Sequence, residues 1–373
     1  MNVIFTCGGT GGHINPAIAL ANTLRQRDPN VNILFVGCVG EMEEQLVPKA
    51  GFEIKCLPGS RFFRQLSLKN IKRNIQGVGR ILSALNGARK IISEFKPDVI
   101  VGTGGYASFP ALFMGARMGV PTCVHEANAV PGLATRLAAG SADRILVNFA
   151  ESGKAYKQQE KITCVGMPVR SEFLYTKRAD ARRELGLDER PLIVSAFGSL
   201  GAKAMNEVMA EFMKLETENG LPYQHIHATG SYGWEWMPEL VKGKGVDLDN
   251  GSIDMREYIY NMPTLMAAAD VFISRAGASS CNEIAVSGTP CILIPSPNVT
   301  DNHQEKNARI VEQRGGCVLL LERECTAQRL YQEVQSLLED REKRSAMRRA
   351  LMESSMPDSA DRICDIIAEL ANH

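Results

Sequence analysis

One plan written twice along the chain limits what it can fold into. Val3-Ile-Phe-Thr-Cys-Gly-Gly-Thr-Gly-Gly-His13 is a short apolar run ending in glycines, followed by Ala17, Ile18, Leu20, Ala21 and Leu24 at helical spacing. Leu192-Ile-Val-Ser-Ala-Phe-Gly-Ser-Leu-Gly-Ala202 repeats it, with Met205, Val208, Met209 and Phe212 behind. A second unit also recurs. Asp98-Val-Ile-Val-Gly-Thr-Gly-Gly105 leads to Gly119-Val-Pro-Thr-Cys-Val124, and Asp270-Val-Phe-Ile-Ser-Arg-Ala-Gly277 leads to Gly288-Thr-Pro-Cys-Ile-Leu-Ile294. Each copy is a buried strand, a glycine turn, a helix, and a Gly-x-Pro before the next strand. Apolar strands alternating with helices form parallel, doubly wound α/β sheets, and two copies of the plan form two such domains.

The length agrees, because 373 residues exceed what one hydrophobic core usually holds. The expected division is a first domain over 1–166 and a second over 167–345, with a linker near Gly166-Met-Pro-Val-Arg170. The apolar stripe Ile363, Ile366, Ile367 and Leu370 has no later strand to cover, so a C-terminal helix over about 346–373 is expected to pack back on the first domain. Lys plus Arg balance Asp plus Glu at 42 each, which gives no reason to expect a nucleic-acid partner. The 10 cysteines include no C-x-x-C pair, and several sit singly in apolar runs, the pattern of buried reduced thiols. The N-terminus lacks a basic n-region, and no apolar stretch reaches the roughly 20 residues that span a bilayer, so any membrane contact is expected to be peripheral.

Four glycine loops, at 8–12, 102–105, 198–201 and 277–280, fall at carboxyl ends of strands, where open α/β sheets bind ligands. Backbone amides at a helix start suit a diphosphate. No dinucleotide fingerprint or P-loop occurs, which argues against a dehydrogenase or a P-loop kinase. No bound metal or other cofactor is expected, because Asp247 and Asp249 read as a solvated loop and no cluster has metal-ligand spacing. Polar groups crowd 270–304: Arg275, Ser279, Ser280 and Glu283, then Asp301, Asn302, His303 and Gln304. Glu283 either accepts hydrogen bonds from ribose hydroxyls or only favours its helix N-terminus. His13 at the first glycine loop, and His125 with Glu126 after another strand, are the candidate proton acceptors, or else they orient their loops. From Arg61 to Lys96 nine basic residues face one acid, Glu94, and Ile71, Ile75, Val78, Leu82 and Leu85 run at helical spacing. That is either a basic amphipathic helix for an anionic membrane or an ordinary core helix with a solvated face.

Gly8-Gly-Thr-Gly-Gly-His-Ile-Asn-Pro16, Gly102-Thr-Gly-Gly-Tyr106, His125-Glu126-Ala-Asn128, Gly198-Ser-Leu-Gly-Ala202 and Arg275-Ala-Gly-Ala-Ser-Ser-Cys-Asn-Glu283 together resemble the bacterial undecaprenyl-diphospho-muramoylpentapeptide N-acetylglucosaminyltransferases. The resemblance runs from residue 1 to about 315. It implies the GT-B architecture, two Rossmann-like domains facing a cleft, and an inverting, metal-independent transfer from UDP-N-acetylglucosamine to a lipid-linked muramyl-pentapeptide. The first domain would bind acceptor and membrane, on the cytoplasmic face of the inner membrane beside other cell-wall synthesis proteins, and the second would bind the UDP-sugar. By resemblance Thr10, Gly11, Gly12 and Asn128 approach the donor sugar and diphosphate, and Arg170, Ser199 and Ile259 surround the nucleotide. Ala278, Ser279, Ser280, Cys281 and Asn282 lead the diphosphate and ribose contacts to Glu283, and Gln304 meets the sugar. Two departures stand out: Leu200 where the family often has Gln, and Asn302-His303-Gln304 in place of an Arg-Gln-Gln-like run. The rival readings are an epimerase or glycolipid synthase of the same shape, or a non-catalytic membrane sensor of the sugar nucleotide.

Overall fold

The computed structural model describes residues 1–59 and 68–372, without the side chains of 68–78. The chain divides into two units, Met1–Val169 with Met356–His373, and Arg170–Ser355. In the first, seven parallel strands run in the order β3-β2-β1-β4-β5-β6-β7: β1 Asn2–Thr6, β2 Asn32–Cys38, β3 Glu53–Leu57, β4 Val99–Gly102, β5 Thr122–Glu126, β6 Arg144–Val147 and β7 Ile162–Cys164. Successive residues of a strand face opposite sides, and the core obeys that period. Val3 and Phe5 join Phe35 and the helix Gly11–Arg27 on one face, while Ile4 joins Leu34, Val36 and Leu112 on the other.

In the second unit six parallel strands run β10-β9-β8-β11-β12-β13: β8 Leu192–Ala196, β9 Gln224–Ala228, β10 Ile253–Arg256, β11 Val271–Ser274, β12 Cys291–Leu293 and β13 Val318–Leu319. Both sheets reverse strand order at their first strand, between β1 and β4 and between β8 and β11. Such a switch point leaves an open crevice at the strand carboxyl ends, because neighbouring connections leave it in opposite directions.

The C-terminal helix Ser359–Ala371 buries Ile363, Cys364, Ile367 and Leu370 in the first unit, and Arg27 bridges Asp361 at 2.5 Å and Asp365 at 2.6 Å. The return begins at Met356, later than the sequence suggested. The preceding helix Arg341–Ser354 stays with the second unit because Met347 and Leu351 are buried there, Met347 Sδ meeting the Cys291 amide and Leu351 lying against Gly316. The first unit extends to Val169, where Val165 and Met167 are buried and His125 Nε2 lies 2.8 Å from the Gly166 carbonyl.

Helix Leu68–Phe95 packs Ala84, Ala88, Ile91 and Ile92 inward. Leu82 is 58% exposed, so the basic segment's apolar stripe is not simply the core face. Arg61 to Ser67 and the side chains of Ile71, Ile75 and Val78 lie outside the described residues. Among the described residues no helix is long and apolar enough to cross a membrane.

Candidate functional site

In the first unit the switch point is built from loops after β1 and β4. The Gly11–Arg27 helix starts without a side-chain cap from Thr10, whose carbonyl takes the His13 amide at 3.0 Å, so the Gly11 and Gly12 amides are left to point outward. The β4 loop lies against it: Gly105 has φ +81°, and a Cβ there would overlap the Gly8 carbonyl. Thr103 grips His13 twice, its hydroxyl donating to the His13 carbonyl at 2.7 Å and its own carbonyl lying 3.2 Å from His13 Nδ1. A carbonyl only accepts, so Nδ1 carries the proton and the lone pair resides on Nε2. The partly buried imidazole is thereby set in the tautomer that can accept a proton at Nε2.

The second unit repeats the device. The helix Ala278–Ser287 follows Gly277, which has no side chain to cap it, and its first amides point outward in the same way. Beside it the loop after β8 folds tightly: the Gly201 amide donates to the Gly198 carbonyl at 3.1 Å, and at φ +80° a Cβ on Gly201 would overlap the Thr229 carbonyl. Ser199 and Leu200 are exposed on that loop. Glu283 is partly buried, and no described residue hydrogen-bonds its carboxyl. Burial pushes that carboxyl up to about 7, against the opposing pull of Arg170. Gln304 accepts the Ser296 amide at 2.9 Å through Oε1, which turns its amide hydrogens outward as donors. Asp301 and Asn302, at φ +54° and +51°, make the strained turn that starts the Gln304 helix. Among the described residues no three His, Cys, Asp or Glu side chains are disposed to hold a metal ion.

Both halves match glycosyltransferase family 28 models, the N-terminal domain over residues 3–147 and the C-terminal domain over 192–363. The UDP-N-acetylglucosamine--N-acetylmuramyl-(pentapeptide) pyrophosphoryl-undecaprenol N-acetylglucosamine transferase of Thermoanaerobacter sp. (strain X514) is 40% identical over 371 residues, 99% of this chain and 100% of that one. The chain belongs to this transferase family. MurG of Acinetobacter baumannii shares the fold, with a TM-score of 0.78 at 24% identity over 99% of each chain. A putative UDP-N-acetylglucosamine 2-epimerase from Listeria monocytogenes shares it too, with a TM-score of 0.69 at 15% identity over 99% of this chain and 96% of the other. The fold alone therefore does not separate transferase from epimerase, whereas full-length identity does.

Within this family 28 chain the candidate residues divide by where their side chains point. Thr10, Gly12, Arg170 and Ser199 are exposed, and His13, Asn128, Ser279, Ser280, Glu283 and Gln304 are partly buried. His125 does not fit the proton-acceptor reading. It is 1% exposed, its Nε2 is taken up with Gly166, and burial pulls it down to about 4. Glu126 is also inward, accepting the amides of Asn128 at 2.9 Å and Gly132 at 3.1 Å, so it shapes the loop that presents Asn128. Ile259 buries its side chain between exposed Tyr258 and Tyr260. Cys281 is buried with its thiol pushed up to about 12, and Asn282 donates back to Ala278 within the helix. Ala278 is buried. Arg275 is tied to the Ile294 carbonyl at 3.0 Å and to Glu322, so it braces β11 against its neighbours. Asp247 accepts the Asp249 amide at 2.9 Å in an exposed turn. None of the ten cysteines forms a disulfide. Sequence reasoning missed Thr103, which orients His13, and Glu43, a fully buried carboxylate; only burial and contacts mark either one.

Proposed function

We propose that this enzyme transfers N-acetylglucosamine from UDP-N-acetylglucosamine to the 4-hydroxyl of a lipid-linked N-acetylmuramyl-pentapeptide, inverting the anomeric centre. The observation that carries this is 40% identity to a transferase of that name over 99% of the chain. The acceptor oxygen forms a bond to the anomeric carbon while the bond from that carbon to the diphosphate oxygen breaks. The electron pair leaves with UDP, and His13 Nε2 takes the hydroxyl proton. Within the second unit, outward amides at Ala278 and Ser279 suit the charge developing on the diphosphate. In the same unit Glu283 receives the ribose hydroxyls, Arg170, Ser199 and the Ile259 backbone border the nucleotide, and Gln304 contacts the sugar.

On this reading the second unit is the donor domain and the first the acceptor domain. The helix Leu68–Phe95, with Leu82, Arg80, Arg89 and Lys90 exposed, docks peripherally on the anionic cytoplasmic face of the membrane, where cell-wall synthesis proteins are the expected partners. Incubating radiolabelled UDP-N-acetylglucosamine with a lipid-linked muramyl-peptide tests the reaction. A labelled lipid-linked disaccharide is expected; UDP-N-acetylmannosamine or free N-acetylmannosamine instead would establish an epimerase, and binding without turnover a sensor.

A further inference from the structure

Glu43 is 0% exposed, and none of the described residues offers it a cation. Its two oxygens are used separately: Oε1 accepts the Cys38 amide at 2.9 Å at the end of β2, and Oε2 accepts the Gly9 amide at 3.0 Å in the loop after β1. The backbone is cleared around it. A Cβ on Gly8 would overlap Oε1, and one on Gly37, inside β2, would stand 2.5 Å from the Glu43 Cγ. A glycine within a strand weakens it, and a buried carboxylate without a cation is costly to desolvate. Glu43 opens the helix Glu43–Lys49, whose N-terminus favours an acid, but the exposed Glu44 in the same turn serves that end without burial. The neighbouring acids brace the same loops. Glu44 accepts the Gly40 amide at 2.7 Å, and Tyr106, whose ring lies against Gly9, donates to Glu41 at 2.6 Å.

We propose that Glu43 is a positioning residue for the transfer reaction: its carboxylate, clamped between the ends of β1 and β2, fixes the Gly9 amide and with it the aim of the amides that open the Gly11–Arg27 helix. The proposal rests on the transferase reading above. A carboxylate is the only side chain of this length with two acceptor atoms and no donor, so it can hold two amides at once. A carboxamide turns a donor toward one of them, and aspartate keeps both oxygens but is one methylene too short to reach both.

Glu43→Gln and Glu43→Asp test it together. For each, transfer kinetics are measured at a fixed interval below that variant's own Tm, with UDP affinity and the hydrogen exchange of a peptide covering 7–14. Both variants are expected to lose about 10- to 100-fold in kcat, the order for a misplacement near 1 Å, with UDP affinity held and exchange in 7–14 faster. Transfer at the wild-type rate by Glu43→Asp alone would show that charge matters and the two-point clamp does not. A rate loss that vanishes once Tm is matched, or exchange unchanged in 7–14, would reduce Glu43 to a packing role. If either variant does not fold, the other and the exchange measurement decide. No transfer by the wild-type enzyme would sink the transferase reading, and this proposal with it; normal transfer by both variants sinks this proposal alone.

Discussion

The Glu283 carboxyl stands up to about 7 because it is buried without a hydrogen-bonding partner, with Arg170 only partly offsetting the desolvation. If the ribose hydroxyls of the donor bind only the ionised carboxylate, apparent affinity weakens by a factor of 1 + 10^(pKa − pH). With the carboxyl at about 7, that factor is roughly 1.1 at pH 8 and roughly 11 at pH 6, a tenfold loss worth about 1.4 kcal/mol. UDP-N-acetylglucosamine is the ligand to use, because its diphosphate is esterified at both ends and does not titrate in this range, whereas the terminal phosphate of UDP does. A histidine gaining charge beside the diphosphate would strengthen binding as pH falls, so the sign of the slope separates the two causes. Glu283→Gln is expected to weaken binding at pH 8 by about 1.5–3 kcal/mol, the range for a hydrogen bond to a charged group, and to flatten the profile between pH 6 and 8. Titration calorimetry at pH 6, 7 and 8 on both proteins reads both effects. A flat wild-type profile, or a variant that keeps the slope, would refute the reasoning and leave Glu283 as a helix-terminus charge.

His13→Ala should lower kcat by about 10²- to 10⁴-fold with UDP affinity little changed, and His13→Asn should not rescue it, because an amide keeps a hydrogen bond to Thr103 yet takes no proton; near-normal kcat in the Asn variant would make His13 a loop-orienting residue. Turnover should survive excess chelator, and its loss with recovery on adding magnesium or manganese would contradict the metal-free reaction. Replacing Arg80, Arg89 and Lys90 by Glu should release the enzyme from anionic vesicles, each charge adding about 1 kcal/mol near the surface, with UDP binding intact; retained vesicle binding would favour a plain core helix. His125, pulled down to about 4 by burial, binds a proton less readily folded than unfolded, so its stability contribution is whole above about pH 6.5 and is lost as pH falls toward the folded value. Of that, about 2 kcal/mol disappears between pH 7.5 and 5. Urea unfolding of His125→Asn should show that much less loss over the same interval, and parallel profiles would count against the assignment.

The repeated strand and glycine-turn pattern determined two parallel α/β units and the loops that matter, because a strand buried on both faces must be continuously apolar and a backbone that closes on another backbone must be glycine. Ile363, Ile367 and Leu370 likewise announced a helix needing a surface, since an apolar stripe must be covered. The sequence left open where each polar group points. His125 and Glu126 stand in the same strand-end run as Asn128, yet the strand turns the first two into the first unit's interior, where Gly166 and the loop amides claim them. Only tertiary packing decided that Met347 and Leu351 anchor the penultimate helix to the second unit, because the apolar spacing of Arg341–Ser354 suits either. Glu43 shows the limit most clearly. Glu41, Glu43 and Glu44 are three closely spaced acids in the sequence, and burial between two amides 29 residues apart, at Gly9 and Cys38, singles out one of them. Periodicity fixes which face a side chain takes within its own element, whereas the partner that face meets depends on residues far along the chain.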